Sequence, residues 1–300
     1  MFWKNRNKKK KENRPEIQEI GKTEEFIEAP GMSVKFHDMN VLIQIGNAQH
    51  IGGRAAQEDS FAFSDLTDDE KITEKGICAV LSDGMGGLTD GRKVSEYTIS
   101  ESLAFFSRLI LEEPVWQQME TFVRSMNQQV CEAYAKNGKP GAGATLILLL
   151  IHHDRAYWCT VGDSRLYLIR RGRLYQINED HDYRNQLLGQ YISGQKMTLE
   201  QAFRDRQGSA LASYIGCPQT GKIETSIRGL PLQDSDRLLL MSDGVYRALS
   251  EEEILNRKEE APQKMCEHLL ADAADKHLAG QDNMTLLVLE YKWQERETEA

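Results

Sequence analysis

Two apolar segments in this 300-residue chain, ICAVL (77–81) and RLLLM (237–241), run without a break into Ser-Asp-Gly, and in each case a helix-prone stretch follows rather than a second strand. An apolar run of this length bounded by turn residues reads as a strand buried on both faces. A strand of that kind lifts the aspartate at its end to the rim of a sheet, and the following glycine lets the backbone turn and approach a ligand closely. Alone, Asp-Gly is an ordinary turn signal. Its recurrence after a second buried strand, again ahead of a helix, points to a paired function for Asp83 and Asp243.

The remaining pattern gives the fold class. VLIQIG (41–46), FAFSD (61–65) and ICAVLSDG (77–84) read as strands, and apolar spacing of three and four predicts helices over 94–111 and 115–136, the second opened by Pro114. Strands resume over 144–153, 155–164, 165–172 and 173–178, with Gly172 at a tight hairpin turn. Residues 182–220 interrupt this rhythm with polar, helix-prone sequence, with a helix start at Thr198, and read as a helical flap. Further strands over 222–231 and 236–244, a helical stretch over 251–278 broken near Pro262, and a last strand over 282–293 complete the pattern. Strands in clusters with helix pairs between them describe an α+β fold. A four-layer α-β-β-α sandwich, with two mostly antiparallel sheets flanked by helix pairs, buries every apolar face. The expected organisation is a tail over 1–38, one folded domain over 39–294 and a short C-terminal tail over 295–300.

Charge and cysteine usage limit the function. The net charge is −9, yet residues 1–14 carry +6, leaving −15 on the rest. An acidic body repels nucleic-acid phosphates. The basic start, with Phe2 and Trp3 beside Lys8 to Lys11, reads as a solvated disordered arm; weak contact with an anionic membrane surface is its alternative reading. The longest apolar run, Ala144 to Ile151, falls far short of the roughly 20 residues that cross a bilayer. Five scattered cysteines without a CxxC pair argue for a reducing compartment, the cytoplasm, and against thiolate metal ligation. A metal here has to be a hard one bound by oxygen. The chain is expected to act as a monomer.

Four acidic segments carry the chemistry: RAAQEDS (54–60), LSDGMGG (81–87), LMSDGVY (240–246) and GQDNMTL (280–286). Together with GAGATL (141–146), VGDSRLYL (161–168) and EDH (179–181), and in this order, they resemble the metal-dependent serine/threonine protein phosphatases of the PPM, or type-2C, family across residues 40–292. The resemblance implies two Mn²⁺ or Mg²⁺ ions per active site, bridged by Asp83. The Gly84 carbonyl and Glu58 serve one ion, Asp243 and Asp282 the other, and Asp59 orients them from behind. It implies an activated water attacking phosphorus in line, with the phosphate gripped by Arg54. Asp163 resembles the residue that holds a third, weaker metal, while Arg165 and His181 read as structural.

This sequence departs from the family pattern in places. Gln57 replaces an Asn, and Met85 stands where some members have a histidine, which is the bacterial form of the motif. Arg247 occupies the position four after Asp243 where some members place another acidic third-metal ligand. The substrates implied are phosphoproteins, with a serine/threonine kinase as the opposing enzyme. Two alternatives stand beside this reading: a non-catalytic regulatory module of the same fold, and a phosphohydrolase acting on small molecules.

Overall fold

A computed structural model describes residues 32–36, 39–85, 90–134, 141–195, 198–218 and 221–294. In chain order the elements are β1 (Met32–Phe36), β2 (Met39–His50), β3 (Ser60–Phe63), α1 (Asp69–Lys75), β4 (Ile77–Ser82), α2 (Gly91–Arg108), α3 (Val115–Tyr134), β5 (Leu146–His152), β6 (Arg155–Val161), β7 (Arg165–Arg170) and β8 (Arg173–Gln176). They continue with α4 (Tyr183–Ile192), α5 (Leu199–Arg204), β9 (Glu224–Thr225), β10 (Leu230–Pro231), β11 (Asp236–Met241), α6 (Asp243–Tyr246), α7 (Glu251–Asn256), α8 (Pro262–Ala274) and β12 (Met284–Gln294). One sheet has the order β1-β2-β12-β11-β7-β8 and the other β10-β6-β5-β4-β3, with β9 also on β6. Every pairing is antiparallel.

The layers follow from period-two burial. On β5, Ile147, Leu149 and Ile151 face the space between the sheets, where they meet Ile43, Leu81, Leu238, Leu240 and Leu289. The alternate residues Leu146, Leu148 and Leu150 face α2 and α3, against Val94, Met119, Val123 and Met126. On the other sheet, Leu239, Met241, Leu286 and Val288 pack on Met265, Cys266 and Leu269 of α8. Both faces of the central strands are therefore covered, so these segments are continuously apolar rather than alternating. This is the expected α-β-β-α sandwich.

Local chemistry sets the element ends. Arg171 (φ 52°) and Gly172 (φ 72°) both take the left-handed conformation that a two-residue hairpin between β7 and β8 requires. Thr198 and Gln201 form a reciprocal capping box at the start of α5 in the flap. Pro262 occupies the first turn of α8, where its missing N–H costs nothing.

Three expectations change. The tail expected over 1–38 gives way at Met32–Phe36, which pairs with β2 from Met32↔Ile43 to Phe36↔Met39; residues 1–31 and 295–300 lie outside the described residues. Helix α1 has no counterpart in the sequence reading, because Ile72 is its one buried apolar anchor and Asp68 sets its start by capping Lys71. The strand expected over 222–231 shrinks to two strands of two residues each, β9 and β10, both paired with β6. The Ser226 hydroxyl accepts the Trp158 N–H, and Gly229 turns the chain at φ 66°.

Leu149 has no exposed surface and lies at the centre of the inter-sheet core. Leu149→Ala should cost about 2–5 kcal/mol, since the surrounding strands collapse only partly into the cavity. Chemical denaturation of the purified variant measures this, and a loss under ~1 kcal/mol would contradict the packing described.

Candidate metal and phosphate site

The acidic segments meet at one rim of the sandwich because the antiparallel registers put their strand ends side by side. Met241 pairs with Leu286, and Met284 with His50, so Asp243, Asp282 and the loop after β2 are neighbours. In the facing sheet Ser60 pairs with Ser82, which brings the segment bearing Glu58 and Asp59 to Asp83. Asp163 lies between β6 and β7, and Arg165 pairs with Met241.

Hydrogen bonds hold the Glu58, Asp59 and Asp83 segments in place. Asn283, almost fully buried, donates from Nδ2 to the carbonyls of Ile51 (2.9 Å) and Ala56 (3.0 Å), and its Oδ1 accepts the Glu58 N–H at 2.8 Å. Thr285 donates its hydroxyl to Asp59 Oδ2 at 2.7 Å. Thr145 Oγ1 accepts the Asp83 N–H at 2.9 Å, while the Thr145 N–H reaches the Asp83 carbonyl at 2.8 Å. Gly84 forms an antiparallel bridge with Ala144, and a Cβ there would lie 2.5 Å from the Glu58 carbonyl oxygen, so only glycine permits this approach.

The electrostatics are those of an over-full acidic cluster. Burial raises the pKa of Asp83 well above the ordinary carboxylate range, and Asp59, Asp243, Asp163 and Asp282 raise it further. Asp59 is pushed up to about 7, chiefly by burial, against hydrogen bonds from Thr285 and Ser242. Burial and Asp243 push Asp163 up to about 6, with Arg247 pulling the other way. Asp243 and Glu58 are raised by burial, opposed by Arg247 and Arg54 respectively.

Two guanidinium groups partly compensate. Arg54 Nη2 lies 2.6 Å from Asp282 Oδ2, and Arg247 contacts Asp243 Oδ2 at 2.9 Å and Asp163 Oδ2 at 3.2 Å. As the side chains stand, no three acidic, imidazole or thiolate groups among the described residues close on one point in a form that holds an ion. The donors nonetheless suit a hard divalent cation. All are oxygens. Asp243 Oδ1 and Asp59 Oδ1 are buried without a hydrogen-bond partner. The carboxylates' mutual repulsion is what a bound cation relieves.

A model of the family described as "Protein phosphatase 2C" matches residues 47–281, which include every rim carboxylate described above except Asp282, the residue just after the match ends. The chain belongs to the protein phosphatase 2C family. It is 28% identical over 224 residues to the serine/threonine phosphatase stp of Listeria innocua, covering 72% of this chain and 85% of that one. Among solved structures, the Streptococcus agalactiae serine/threonine phosphatase superposes with a TM-score of 0.68 at 25% identity, over 82% of this chain and 98% of that one. The catalytic domain of the serine/threonine phosphatase PstP, solved in complex with two manganese ions, superposes with a TM-score of 0.64 over 84% and 99%; at 24% identity it bears on the fold.

The structure brings Glu58, Asp59, Asp83, Gly84, Asp163, Asp243 and Asp282 to this rim with Arg54 exposed at its edge. Gly86 and Gly87 of the glycine-rich segment lie outside the described residues. Arg165 makes the structural pair expected of it, binding both oxygens of Asp180 at 2.7–3.1 Å. His181 anchors the flap as expected: its Nδ1 accepts the Gly162 N–H at 3.2 Å, and its carbonyl accepts from Ala212 and Ser213. Sequence reasoning assigned no role to Asn283 or Thr145. The available signal was a lone polar residue inside an apolar strand (Thr145) and an amide beside a candidate ligand (Asn283).

Asn283→Ala strands one N–H and two carbonyls, and should cost about 1–3 kcal/mol. Hydrogen exchange should show faster opening of the 51–58 amides than in the parent, and unchanged protection there would refute the clamp. His181 gives a pH signature. Burial first, then Lys222, lowers its pKa from 6.5 to about 4, against Glu179 and Asp180, with Glu224 at 4.0 Å. The folded state prefers the neutral ring, so its contribution is complete above pH 6.5 and is lost as pH falls through 4. Between those values the protein should lose roughly 3 kcal/mol relative to His181→Gln, measured by paired denaturation curves. Parallel curves for the two proteins would contradict this.

Proposed function

We propose that this chain hydrolyses phosphoserine and phosphothreonine esters on proteins in the cytoplasm, using two Mn²⁺ or Mg²⁺ ions held by Glu58, Asp83, the Gly84 carbonyl, Asp243 and Asp282. The observation that carries this reading is the convergence of those carboxylates on one rim with Arg54 at its edge, where burial and neighbouring negative charge raise the pKa of Glu58, Asp83 and Asp243. The manganese pair in PstP supports the choice of metal. When bound, such a pair of ions supplies concentrated positive charge and lowers the pKa of water at neutral pH.

The chain's own residues do the rest. Arg54, exposed and tethered to Asp282 through a single nitrogen, presents its remaining N–H groups to phosphate oxygens in a planar fork. Asp59, buried and hydrogen-bonded to Thr285, ties the Glu58 segment to β12, and Asp282 lies two residues before that strand. Thr145 and Asn283 hold Asp83 and Glu58 against their neighbours' repulsion, which keeps the site ordered before a cation arrives. No helix among the described residues is long and apolar enough to cross a membrane. Phosphoproteins modified by a serine/threonine kinase are the substrates proposed, reached by the protein acting as a monomer.

Purified protein should hydrolyse p-nitrophenyl phosphate and a phosphothreonine peptide only with Mn²⁺ or Mg²⁺ added. Losing several kcal/mol of metal-derived stabilisation amounts to about a thousandfold in rate, and Asp83→Asn should show a loss of that order. Full activity in excess EDTA would reject the reading. A higher kcat/KM on free phosphometabolites than on the peptide would reassign the substrate.

A further inference from the structure

Arg247 and Asp163 are outside the set of residues assigned to the two-ion centre, yet both engage one of its members, Asp243. Asp163, from the turn between β6 and β7, and Asp243, from the start of α6, are both largely buried, and Asp243 is the first charge acting to raise the pKa of Asp163. One guanidinium bridges them, with Nη1 at 2.9 Å from Asp243 Oδ2 and Nη2 at 3.2 Å from Asp163 Oδ2. The Arg247 backbone N–H closes the α6 turn onto the Asp243 carbonyl, which folds the side chain back over its own turn. Beside it the Tyr246 ring carries Arg165 at 3.9 Å from its centroid and Arg247 at 6.0 Å, and Arg165 is fixed in turn by Asp180.

The two oxygens of Asp243 are thus divided. Oδ2 belongs to Arg247, and Oδ1 is buried with no partner. A guanidinium is never deprotonated in a protein, so this positive charge is permanent. A divalent ion seeking both Asp163 and Asp243 has to displace two charge-assisted hydrogen bonds and then sit beside the displaced cation.

Resting on the two-ion reading above, we infer that Arg247 is a built-in cation that takes the place of a third metal ion between Asp163 and Asp243, so that the chain holds two divalent ions and no third. Asp163 then acts as the counter-charge that positions Arg247, and occupancy of this position is independent of metal concentration.

Equilibrium dialysis against millimolar MnCl₂, with elemental analysis of bound manganese, tests this on the full chain. The parent should bind two ions, and Arg247→Asp and Arg247→Ser should each bind three. Melting curves provide a second readout that needs no catalysis: Mn²⁺ should raise the melting temperature of Arg247→Asp more than that of the parent, because the added site binds the folded state alone. If Arg247→Asp does not fold, Arg247→Ser carries the test, since it removes the cation without adding charge. Three ions on the parent, or two on a folded Arg247→Ser protein, would overturn the inference while leaving the two-ion reading intact. Fewer than two on the parent would overturn both.

Discussion

Five buried or half-buried aspartates, at positions 59, 83, 163, 243 and 282, are held close enough to repel one another, which raises the proton affinity of Asp59, Asp83, Asp163 and Asp243, and they would move apart if their backbones were free. What holds them is the inter-sheet core. Leu81, Leu240 and Leu287 lie inside that apolar layer only a few residues along the chain from Asp83, Asp243 and Asp282. Burying a Leu or Ile side chain contributes about 1.5–3 kcal/mol, and the layer contains many of them. The repulsion at the rim is therefore offset by burial a few residues away along the same segments. The sandwich holds an acidic cluster that no single loop would keep.

Hydrogen bonds make the cluster specific rather than merely tolerated. Asn283 uses both ends of its amide on the 51–58 segment, Thr145 takes the Asp83 N–H, and Thr285 reaches Asp59. Each of these three residues is buried, so each unmade partner would cost more than the bond itself contributes. The guanidinium groups play a different part. Arg54 lies at the open edge with most of its donors free of the tether, whereas Arg247 is committed to two carboxylates. One arginine is placed to meet a substrate anion, the other to neutralise the protein's own.

The flap shows how far such commitments extend. His181 ties the strand end at Gly162 to the segment at Ala212 and Ser213, and Asp180 just before it holds Arg165, which stacks on Tyr246 beside Arg247. A continuous set of contacts thus runs from the flap base to the acidic rim. The neutral state of His181 is part of that set, because a charged imidazole has little water there.

Much of this was legible in the residues. Apolar runs ending in Ser-Asp-Gly located the rim, their continuity showed strands covered on both faces, and Thr198, Gly172 and Pro262 marked element ends through chemistry local to each position. Other features were not legible because they depend on partners distant in sequence. The strand at Met32–Phe36 exists through its pairing with β2, α1 through the burial of Ile72, and the break in the 222–231 run through the Ser226 hydroxyl on Trp158. The clamp from Asn283 to Glu58 spans 225 residues, and no spacing rule reaches that far. By itself the sequence determined which carboxylates and which arginine types were available, since composition and strand periodicity are properties of the chain. Which oxygen of Asp243 is taken by Arg247 and which is left unpartnered was decided by tertiary structure, because packing two sheets against each other sets those distances.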